Sequence, residues 1–409
     1  MALLTIKAQD RGSRARAGLL HTAHGDIRTP AFVPLATKAT VKGLLPREVA
    51  ALGYDMVLGN TFHLMLNPGH ELIARLGGLH RFMGWEGPII TDSGGFQVFS
   101  MGHGTVAQEI KGRDRHGPAS QRPSSILSIE EEGVRFRSYM NGAERFLSPE
   151  GSMAVQAALH SDIALVFDEC TPFHVDRDYT ARSTERTHRW LKRCLDWHAQ
   201  HGPAGQVVYG IVQGGVYEDL RRASTREVAA STCGGIAIGG SLGASKAQMY
   251  EVVGWAVDEL EAEHHSRPRH LLGIGEVDDL IAAVRLGIDT FDCAMPTRLG
   301  RHGTALVPNP DARWRLDITK ASAREDPAPL LDGCPCPACS QGFSRAYLSY
   351  LLRSRELTGM RLVSAHNLAF LAAVMTDLRE GIIRGELDHV AEALTAGAAP
   401  GQIPPAPQA

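Results

Sequence analysis

The sequence predicts an α/β fold: a closed (β/α)8 barrel followed by a small cysteine-rich subdomain near the C-terminus. Three observations support this prediction. Short apolar, β-branched runs alternate with longer helix-like stretches, eight such runs occur before residue 310, and three of the seven cysteines crowd into six residues. Strand followed by helix, repeated, is typical of a parallel sheet with crossover helices.

The candidate strands follow one another along the chain, and each ends in a polar residue, a glycine or an alanine. In order they are TPAFVPLA, DMVLGN, PIITD, IALVFD, VVYGIVQ, GGIAIGG, HLLGIG and IDTFD. Helix-like segments such as SPEGSMAVQAAL, RSTERTHRWLKRCLDWHAQ and VDDLIAAVRLG lie between them. Eight strands favour a closed barrel over an open doubly wound sheet. The lack of an early GxGxxG followed by an acidic residue disfavours a dinucleotide-binding fold.

Composition divides the chain into three parts. We predict a barrel over residues 1–310, with a long loop insertion at 101–129 that is polar, glycine-rich and nonperiodic. Residues 311–385 would form the cysteine-rich subdomain and the final barrel helices. Residues 386–409, whose end is rich in Ala and Pro, would be a mostly disordered tail.

Charge and cysteine usage limit the class of protein. The net charge is -3, from 42 basic and 45 acidic residues, so any nucleic-acid site would have to be a local patch. No run of about 18 apolar residues predicts a transmembrane helix, and the N-terminus does not resemble a secretory signal. The odd cysteine count, with its crowded CxCxxC, indicates reduced thiols and a cytoplasmic protein that does not associate with membranes.

The CxCxxC of Cys334, Cys336 and Cys339 predicts a metal site. Three thiolates on one tight turn can face a single ion, and tetrahedral zinc needs a fourth ligand. We choose His366 because 26 residues separate it from Cys339, which leaves room for one helix and a return, and no other histidine lies between them. An isolated histidine on a helix usually has no metal-binding role, but here the three cysteines still need a fourth ligand. A closed four-ligand site would be structural.

Polar residues at the strand ends predict a shared pocket, because the C-terminal ends of barrel strands meet at one mouth. Each could instead cap the following helix. Three aspartates placed alike favour the pocket, and they suit either a reaction through an oxocarbenium-like sugar or a divalent metal ion. Spacing alone does not rank these two. The strand-end residues are Asn60, Asp92, Asp168, Gln213, Gly240, Gly275 and Asp292.

Two groups of arginines could bind phosphates. Arg298 and Arg301 follow Asp292 closely in a glycine-containing loop, where they would suit a phosphate-bearing substrate or would simply be solvated. A second group shares one face of a helix and could be solvated or could follow a phosphate backbone. It consists of Arg182, Arg186, Arg189 and Arg193.

Seven sequence segments together resemble one known family, the bacterial tRNA-guanine transglycosylases, also called queuine tRNA-ribosyltransferases. The segments span residues 25–385: TPAFVPLATKATVK, LGNTFHL, TDSGGFQVFS, SDIALVFDECTP, GIVQGG, FDCAMPTRLGRHG and the CxCxxC with AHNLAF. The resemblance implies an irregular (β/α)8 TIM barrel with a C-terminal zinc-binding subdomain, one structural Zn2+ per subunit, and a homodimer. It also implies exchange of the wobble guanine of GUN-anticodon tRNAs for a 7-deazaguanine base, without breakage of the tRNA backbone.

The same resemblance implies roles for individual residues. Asp292 would attack the ribose anomeric carbon and form a covalent tRNA intermediate, while Asp92 would act as general acid and base. Arg298 and Arg301 would hold the anticodon-loop backbone. The purine would be bound by Asp168, Gln213 and the backbone of Gly240 and Ser241, stacked between Phe96 and Leu272, and surrounded by Asn60, Ser93 and Gln97.

The sequence also departs from the family pattern. It reads GGSLGAS at residues 239–245 in place of the usual GGLAVGE, and Glu276 stands where a lysine is common. The incoming base is therefore open: 7-aminomethyl-7-deazaguanine is our interpretation and queuine the alternative. Two other classes remain: a metal-dependent barrel hydrolase that uses the three aspartates as ligands, and a noncatalytic partner subunit. Against the hydrolase, no HxH-type cluster lies at a strand end of this sequence. Against the noncatalytic subunit, Asp92, Asp168 and Asp292 are all present.

Overall fold

A three-stranded antiparallel sheet precedes the barrel. Its strands are β1 (Leu4–Gln9), β2 (Arg16–Thr22) and β3 (Gly25–Thr29). The computed structural model describes residues 3–102, 125–171, 173, 175–263 and 266–407.

Eight parallel strands close into the predicted barrel, and every one lies in a segment identified from the sequence. Their order around the barrel follows the chain, with the last strand paired to the first. Most are short, β-branched and buried on both faces, which is typical of parallel strands covered by helices. They are β4 (Ala31–Ala36), β5 (Val57–Gly59), β6 (Ile89–Thr91), β10 (Ile163–Leu165), β11 (Val207–Val212), β12 (Gly235–Ile238), β13 (Arg269–Leu271) and β14 (Thr290–Cys293).

A second antiparallel sheet interrupts the barrel between β6 and β10. It consists of β7 (Ile126–Ile129), β8 (Val134–Arg137) and β9 (Glu144–Leu147). The predicted loop insertion at 101–129 is therefore wrong at its C-terminal end, where β7 pairs with β8, and at residues 101–102, which end a helix. Residues 103–124 of that insertion lie outside the described residues.

Helices cover the barrel and continue into the C-terminal region. Those up to β15 are α1 (Pro46–Ala51), α2 (Thr61–Leu66), α3 (His70–Arg75), α4 (Gly78–Met83), α5 (Gly95–Gly102), α6 (Pro149–Leu159), α7 (Arg177–His201), α8 (Glu218–Ala230), α9 (Lys246–Glu263), α10 (Val277–Arg285) and α11 (Met295–Arg301). After the hairpin β15 (Thr304–Leu306) and β16 (Arg315–Asp317) come α12 (Pro337–Ser340), α13 (Arg345–Arg353), α14 (Leu357–Arg384) and α15 (Leu387–Thr395). Short 3-10 turns occupy Pro310–Ala312 and Ala321–Ala323.

The helix α14 ties the C-terminal region to the barrel. By length and composition it is the one helix in the described part of the chain that could cross a membrane, but 67% of its most apolar window is buried inside the protein. Its Phe370 and Val374 belong to the same hydrophobic cluster as the barrel residue Phe291. It therefore packs as a core helix. A separate hydrophobic cluster surrounds the cysteines and includes Leu330 and Leu348.

The tail prediction from residue 386 is wrong for its first part. Residues 387–395 form α15, whose Leu387, Val390 and Leu394 are buried in the main core. Low-complexity composition concealed an amphipathic helix, because the many alanines of this stretch are compatible with both. Beyond it, the Gly401 N–H donates to Asp377 Oδ2 at 2.7 Å, so the chain remains bound to the surface of α14.

Aspartates at the N-terminal ends of three barrel strands bind the first sheet. Each lies one or two residues before its strand and accepts a hydrogen bond from a basic side chain of β2, β3 or the turn between them. This face lies opposite the mouth, so these aspartates stabilise the closure of the barrel. The pairs are Arg28–Asp55 at 2.8 Å, His24–Asp162 at 2.8 Å and Arg16–Asp289 at 2.7 Å.

Candidate active site and metal centre

Three aspartates gather at the C-terminal mouth of the barrel, as the strand-end pattern predicts. Asp92 follows β6, Asp168 follows β10 by a short segment, and Asp292 lies within β14. Ser93 connects the first two, because its hydroxyl donates to Asp168 Oδ1 at 3.0 Å. The charge of Asp292 acts on Asp92 and helps to raise its pKa. The mouth therefore holds three carboxyl groups, of which Asp92 and Asp292 interact directly and Asp168 is linked through Ser93.

Asp92 is bound on several sides by neighbouring donors. The Thr61 N–H donates to Oδ1 at 2.8 Å, the Asn60 amide donates to Oδ2, and the Gln97 side chain forms a further hydrogen bond. Burial raises the pKa of Asp92 to about 7, and the charge of Asp292 acts in the same direction, whereas the hydrogen bonds oppose the rise. A carboxyl group that titrates near neutral pH can both give and accept a proton there.

Asn60 and Gln97, predicted to line the pocket, contact Asp92 directly. Asn60 also caps α2, since its Oδ1 accepts the His63 N–H at 2.9 Å. The capping alternative is thus confirmed for this residue, alongside its contact with the mouth. One amide side chain both starts a helix and fixes the orientation of a carboxyl group.

Asp168 lies deeper and is held by two donors. Ser93 Oγ donates to Oδ1, and Gln213 Nε2 donates to Oδ2 at 2.6 Å. Burial raises the pKa of Asp168 to about 6, although both hydrogen bonds act against the rise. Because a side-chain donor occupies each oxygen, this carboxylate is arranged to orient a polar ligand and is less available to a metal ion.

Three glycines at the mouth lie where a side chain would not fit. Gly94 has φ +80°, a backbone conformation that side chains disfavour, and a Cβ on Gly95 would lie 2.7 Å from the Asp168 carbonyl oxygen. On the far side, a Cβ on Gly240 would lie 2.1 Å from Gln213 Oε1. Side chains at these positions would displace Asp168 and Gln213.

The predicted aromatic and aliphatic walls lie at the same end of the barrel. Phe96 is on the first turn of α5 and is 37% exposed, which is unusual for a large apolar side chain. Leu272 follows β13 and is partly buried against the barrel core. An exposed aromatic ring beside buried carboxyl groups suits a flat heterocycle.

Asp292 receives two hydrogen bonds on the same oxygen. His270 Nε2 lies 3.1 Å from Oδ1, and the Gly273 N–H donates to that atom at the same distance. His270 is fully buried on β13. No sequence pattern distinguishes this residue, because a histidine inside a strand has no characteristic spacing.

Arg221 is a second residue that the sequence analysis missed. It is fully buried on α8, and its guanidinium donates to the carbonyl oxygens of Val212, Gly215, Gly239 and Ser241 at 2.6–3.1 Å. Burial lowers its pKa to about 9. The guanidinium thus joins the segments after β11 and β12, on which Gln213, Gly240 and Ser241 lie. Nothing in the sequence distinguishes it from the other arginines of this helix.

Positive charge collects beside the mouth. Arg298 and Arg301 lie on the short helix α11, so the prediction that they lie in a loop is wrong, and their spacing of three places them on one side of it. Lys42, from the segment after β4, has its pKa lowered by burial, Arg301 and Lys38. The four cations lie near enough to repel one another and form a local basic patch on an acidic protein.

The arginine stripe on α7 forms intramolecular contacts. Arg186 pairs with Glu169, Arg189 with Glu131 at 2.7 Å, and Arg193 with Glu150 at 2.6 Å. Arg182 lies over the Tyr179 ring. These pairs connect α7 to the β7–β9 sheet and to α6. The stripe is therefore neither simply solvated nor available in full to a phosphate backbone.

The three cysteines and His366 come together in a cluster that could hold a metal ion. His366 Nδ1 lies 3.4–3.6 Å from the three sulfurs, close to the separation of about 3.5 Å that tetrahedral zinc imposes on sulfur and nitrogen ligands. Its Nε2 lies 2.8 Å from the Leu306 carbonyl oxygen, which only accepts, so Nε2 carries the proton and Nδ1 presents its lone pair to the sulfurs. The four ligand atoms lie within 4.8 Å of one another.

The chain is similar to known proteins over nearly its whole length. A family model described as Queuine tRNA-ribosyltransferase matches residues 10–399. A queuine tRNA-ribosyltransferase of Roseiflexus sp. (strain RS-1) is 51% identical, with 94% of this chain and 97% of the relative aligned. Proteins of the same name from Pelotomaculum thermopropionicum and Symbiobacterium thermophilum are each 45% identical, covering 94% and 92% of this chain and 95% and 86% of their own length.

Proposed function

The chain belongs to the queuine tRNA-ribosyltransferase family of pentosyltransferases, and we propose that it exchanges the wobble guanine of GUN-anticodon tRNAs for 7-aminomethyl-7-deazaguanine. The tRNAs would be those for Asp, Asn, His and Tyr. The observation that carries the proposal is the trio of carboxyl groups at the barrel mouth, with the pKa of Asp92 raised to about 7 beside a hydrogen-bonded Asp292.

In the first half-reaction, Asp292 attacks the anomeric carbon of the wobble ribose. The bond from that carbon to the base nitrogen breaks as the bond to the carboxylate forms, and guanine leaves with a proton from Asp92. In the second half-reaction, the incoming base gives a proton to Asp92 and displaces Asp292. A single group can serve both steps because its pKa lies close to neutral pH.

Base recognition would use the inner part of the pocket. Asp168 accepts from the amino and ring N–H groups of the purine, with Gln213 and the backbone of Gly240 and Ser241 beside it. Phe96 and Leu272 stack on the two faces of the base. Support comes from the hydrogen bond that aligns Gln213 with Asp168 and from the exposure of Phe96 next to them.

The tRNA and metal contacts complete the proposal. Arg298 and Arg301 would hold phosphates of the anticodon loop, supported by the basic patch they form with Lys38 and Lys42. One zinc ion per subunit would be held by Cys334, Cys336, Cys339 and His366, and a closed set of four protein ligands would make it structural. We further propose a cytoplasmic homodimer, on the strength of the family resemblance and of cysteines that are all free.

A competition assay tests the choice of base. The enzyme and a GUN-anticodon tRNA carrying labelled wobble guanine are offered guanine, 7-aminomethyl-7-deazaguanine or queuine at equal concentrations. We expect multiple-turnover label release with the aminomethyl base in preference to queuine, and release of at most one equivalent per enzyme without an incoming base. Preference for queuine would favour queuine as the incoming base, and release of more than one equivalent per enzyme without any base would indicate hydrolysis.

Asp292→Asn tests the covalent step. We expect no tRNA adduct on a denaturing gel, because the amide is a poor nucleophile, while binding of the tRNA persists. Phe96→Leu, a change in the wall of the pocket, serves as a matched control that should retain the adduct with weaker base binding. Wild-type exchange by Asp292→Asn would contradict the assignment of the nucleophile.

A further inference from the structure

We propose that His270 is a positioning residue for Asp292: its imidazole holds Oδ1 and leaves Oδ2 to attack the ribose. The inference rests on the nucleophilic role proposed above for Asp292. His270 is fully buried and lies on β13, the strand next to that of Asp292.

Strand register places the imidazole between two groups of β14. Parallel pairing sets His270 opposite Thr290, and Asp292 lies two residues further on, so its side chain shares the face of Thr290. The ring spans this interval. Its Nδ1 lies 2.9 Å from Thr290 Oγ1, and its Nε2 lies 3.1 Å from Asp292 Oδ1.

The partners determine which nitrogen carries the proton. An ionised carboxylate oxygen only accepts hydrogen bonds, so Nε2 must be the donor to Asp292. In the neutral ring Nδ1 is then the acceptor, and the Thr290 hydroxyl donates to it. The carboxylate therefore selects the tautomer that points an N–H at it, and the Thr290 hydroxyl satisfies the remaining ring nitrogen.

Both hydrogen bonds that the structure gives Asp292 end on Oδ1. The second comes from the Gly273 N–H, also at 3.1 Å. Two donors fix the plane of the carboxylate and engage the lone pairs of one oxygen, so the lone pairs of Oδ2 remain for the anomeric carbon. Oδ2 is then the atom that forms the glycosyl ester.

The same donors act when the ester breaks. As the incoming base nitrogen bonds to the anomeric carbon, the carbon–Oδ2 bond breaks and its electron pair returns to the carboxylate. The proton of the incoming base passes to Asp92. N–H groups already aimed at Oδ1 stabilise the returning negative charge without rearrangement. His270 thus assists both formation and breakdown of the intermediate.

Three substitutions at His270 separate the donor from the shape of the ring. His270→Phe removes the N–H and keeps a flat ring, and we expect kcat to fall roughly 10- to 100-fold, as for loss of a hydrogen bond to a charged group. The KM for tRNA should not change. In His270→Gln the amide nitrogen reaches about as far as Nε2 and should restore most of kcat, whereas His270→Asn, whose amide ends near Nδ1, should not.

Rates are measured by single-turnover adduct formation and by label exchange, with thermal unfolding to check folding. His389→Phe, the same exchange on the exposed surface of α15, is the control and should behave as wild type. If His270→Phe does not fold, the kcat values of His270→Gln and His270→Asn are compared instead. Equal rates for these two, or wild-type kcat in His270→Phe, would overturn the inference.

Asp292→Asn, assayed in parallel, separates this inference from the proposed function. Loss of the adduct in Asp292→Asn together with wild-type kcat in His270→Phe would leave the nucleophile in place and refute only the role of His270. An adduct that persists in Asp292→Asn would refute both.

Discussion

At the scale of single residues, the mouth of the barrel shows how environment separates chemically identical groups. Asp92 and Asp168 are both buried and hydrogen-bonded, yet the pKa of the first rises to about 7 and that of the second to about 6. Burial is the main cause of both rises, and a neighbouring carboxylate adds to each: Asp292 for Asp92 and Glu169 for Asp168. The group nearest neutrality is the one best suited to carry a proton in both directions.

Replacing Asp92 by asparagine should stop proton transfer while the pocket keeps its shape. We expect kcat for base exchange to fall about 10²- to 10⁴-fold, the usual contribution of a general acid or base, with little change in tRNA binding. Wild-type kcat should depend on pH around 7, and the residual rate of Asp92→Asn should lose that dependence. Steady-state exchange from pH 5.5 to 9 measures both, with Asp26→Asn on the opposite face as control.

The same substitution should stabilise the fold at neutral pH. Because the folded pKa of Asp92 lies above the ordinary value of 3.8, the folded state binds the proton more tightly. The stability from this group is therefore present at low pH and is lost as pH rises from about 4 to about 7. The midpoint temperature of thermal unfolding should thus be higher for Asp92→Asn than for the wild type at pH 8, and the two midpoints should be equal at pH 4. A lower midpoint at pH 8 would contradict this.

These residues also show where sequence analysis of the site succeeded and where it could not. Asp92, Asp168 and Asp292 could be selected because the ends of parallel strands converge, and that rule needs only the strand pattern. His270 and Arg221 could not be selected, since their importance lies in contacts across strands and loops that are distant in sequence. The sequence does not show which polar residues of a strand or helix are fully buried, because their partners depend on the pairing register of the strands.

At the scale of elements, the β1–β3 sheet and the barrel are joined by buried charge. Asp162 lies just before β10 with a fully buried side chain. Its Oδ1 accepts from His24 Nδ1 at 2.8 Å and from the His24 N–H at 3.2 Å. Its Oδ2 accepts from the Ile89 N–H at 2.8 Å and lies 3.2 Å from His80 Nε2. Burial alone would raise the pKa of Asp162, but the hydrogen bonds from His80, His24 and Ile89 outweigh it and lower the pKa.

Asp162→Ala should therefore destabilise the protein without affecting catalysis. We expect a loss of about 2–4 kcal/mol in the free energy of unfolding, since removal of the carboxylate leaves buried N–H donors unpaired. The folded pKa lies below the unfolded value of about 3.9, so the contribution is complete above that pH and disappears as pH falls through the folded pKa. Urea unfolding at pH 7 and pH 3.5 measures the change.

A matched control lies on the same hairpin. Asp26 pairs with His21 at 2.7 Å but is half exposed, so Asp26→Ala should change stability by less than about 1 kcal/mol. Exchange activity per folded molecule should stay at the wild-type level in both variants, because the pair lies at the opposite end of the barrel from the mouth. Equal destabilisation by the two substitutions would show that burial of Asp162 is not the cause.

The metal centre is a second element-scale link, between α12 and α14. We expect one zinc per chain by elemental analysis, and none in Cys336→Ser, because a hydroxyl is a poor substitute for a thiolate ligand. Loss of the metal should lower the midpoint temperature of thermal unfolding. Cys233→Ser changes a buried cysteine outside the cluster and should keep one equivalent. Zinc retained by Cys336→Ser, or three metals per wild-type chain, would refute the site.

At the scale of the whole molecule, the sequence predicted the barrel because every strand carries a local signal. Most are short β-branched runs buried on both faces, and eight of them close the sheet. The β7–β9 sheet and α15 were missed for a physical reason. Strand β9 exposes most of its residues and so lacks the apolar alternation of a half-buried strand. Helix α15 is amphipathic but short, and the Ala- and Pro-rich sequence that follows it led to its assignment to the tail.

The balance of charge over the whole protein leads to the last prediction. A chain of net charge -3 gains nothing from long-range attraction to tRNA, so binding must come from the patch of Lys38, Lys42, Arg298 and Arg301. Each phosphate contact releases counterions, and log Kobs falls with log salt concentration by about 0.7 per contact for single strands.

Arg298→Ala should therefore weaken binding of an anticodon stem-loop and make this slope shallower by about that amount. Fluorescence anisotropy measured between 50 and 300 mM KCl gives the slope. Arg11→Ala, an exposed arginine near the first sheet, should leave it unchanged. If Arg298→Ala lowers affinity equally at all salt concentrations, Arg298 contributes through packing of α11, and the phosphate contact is wrong.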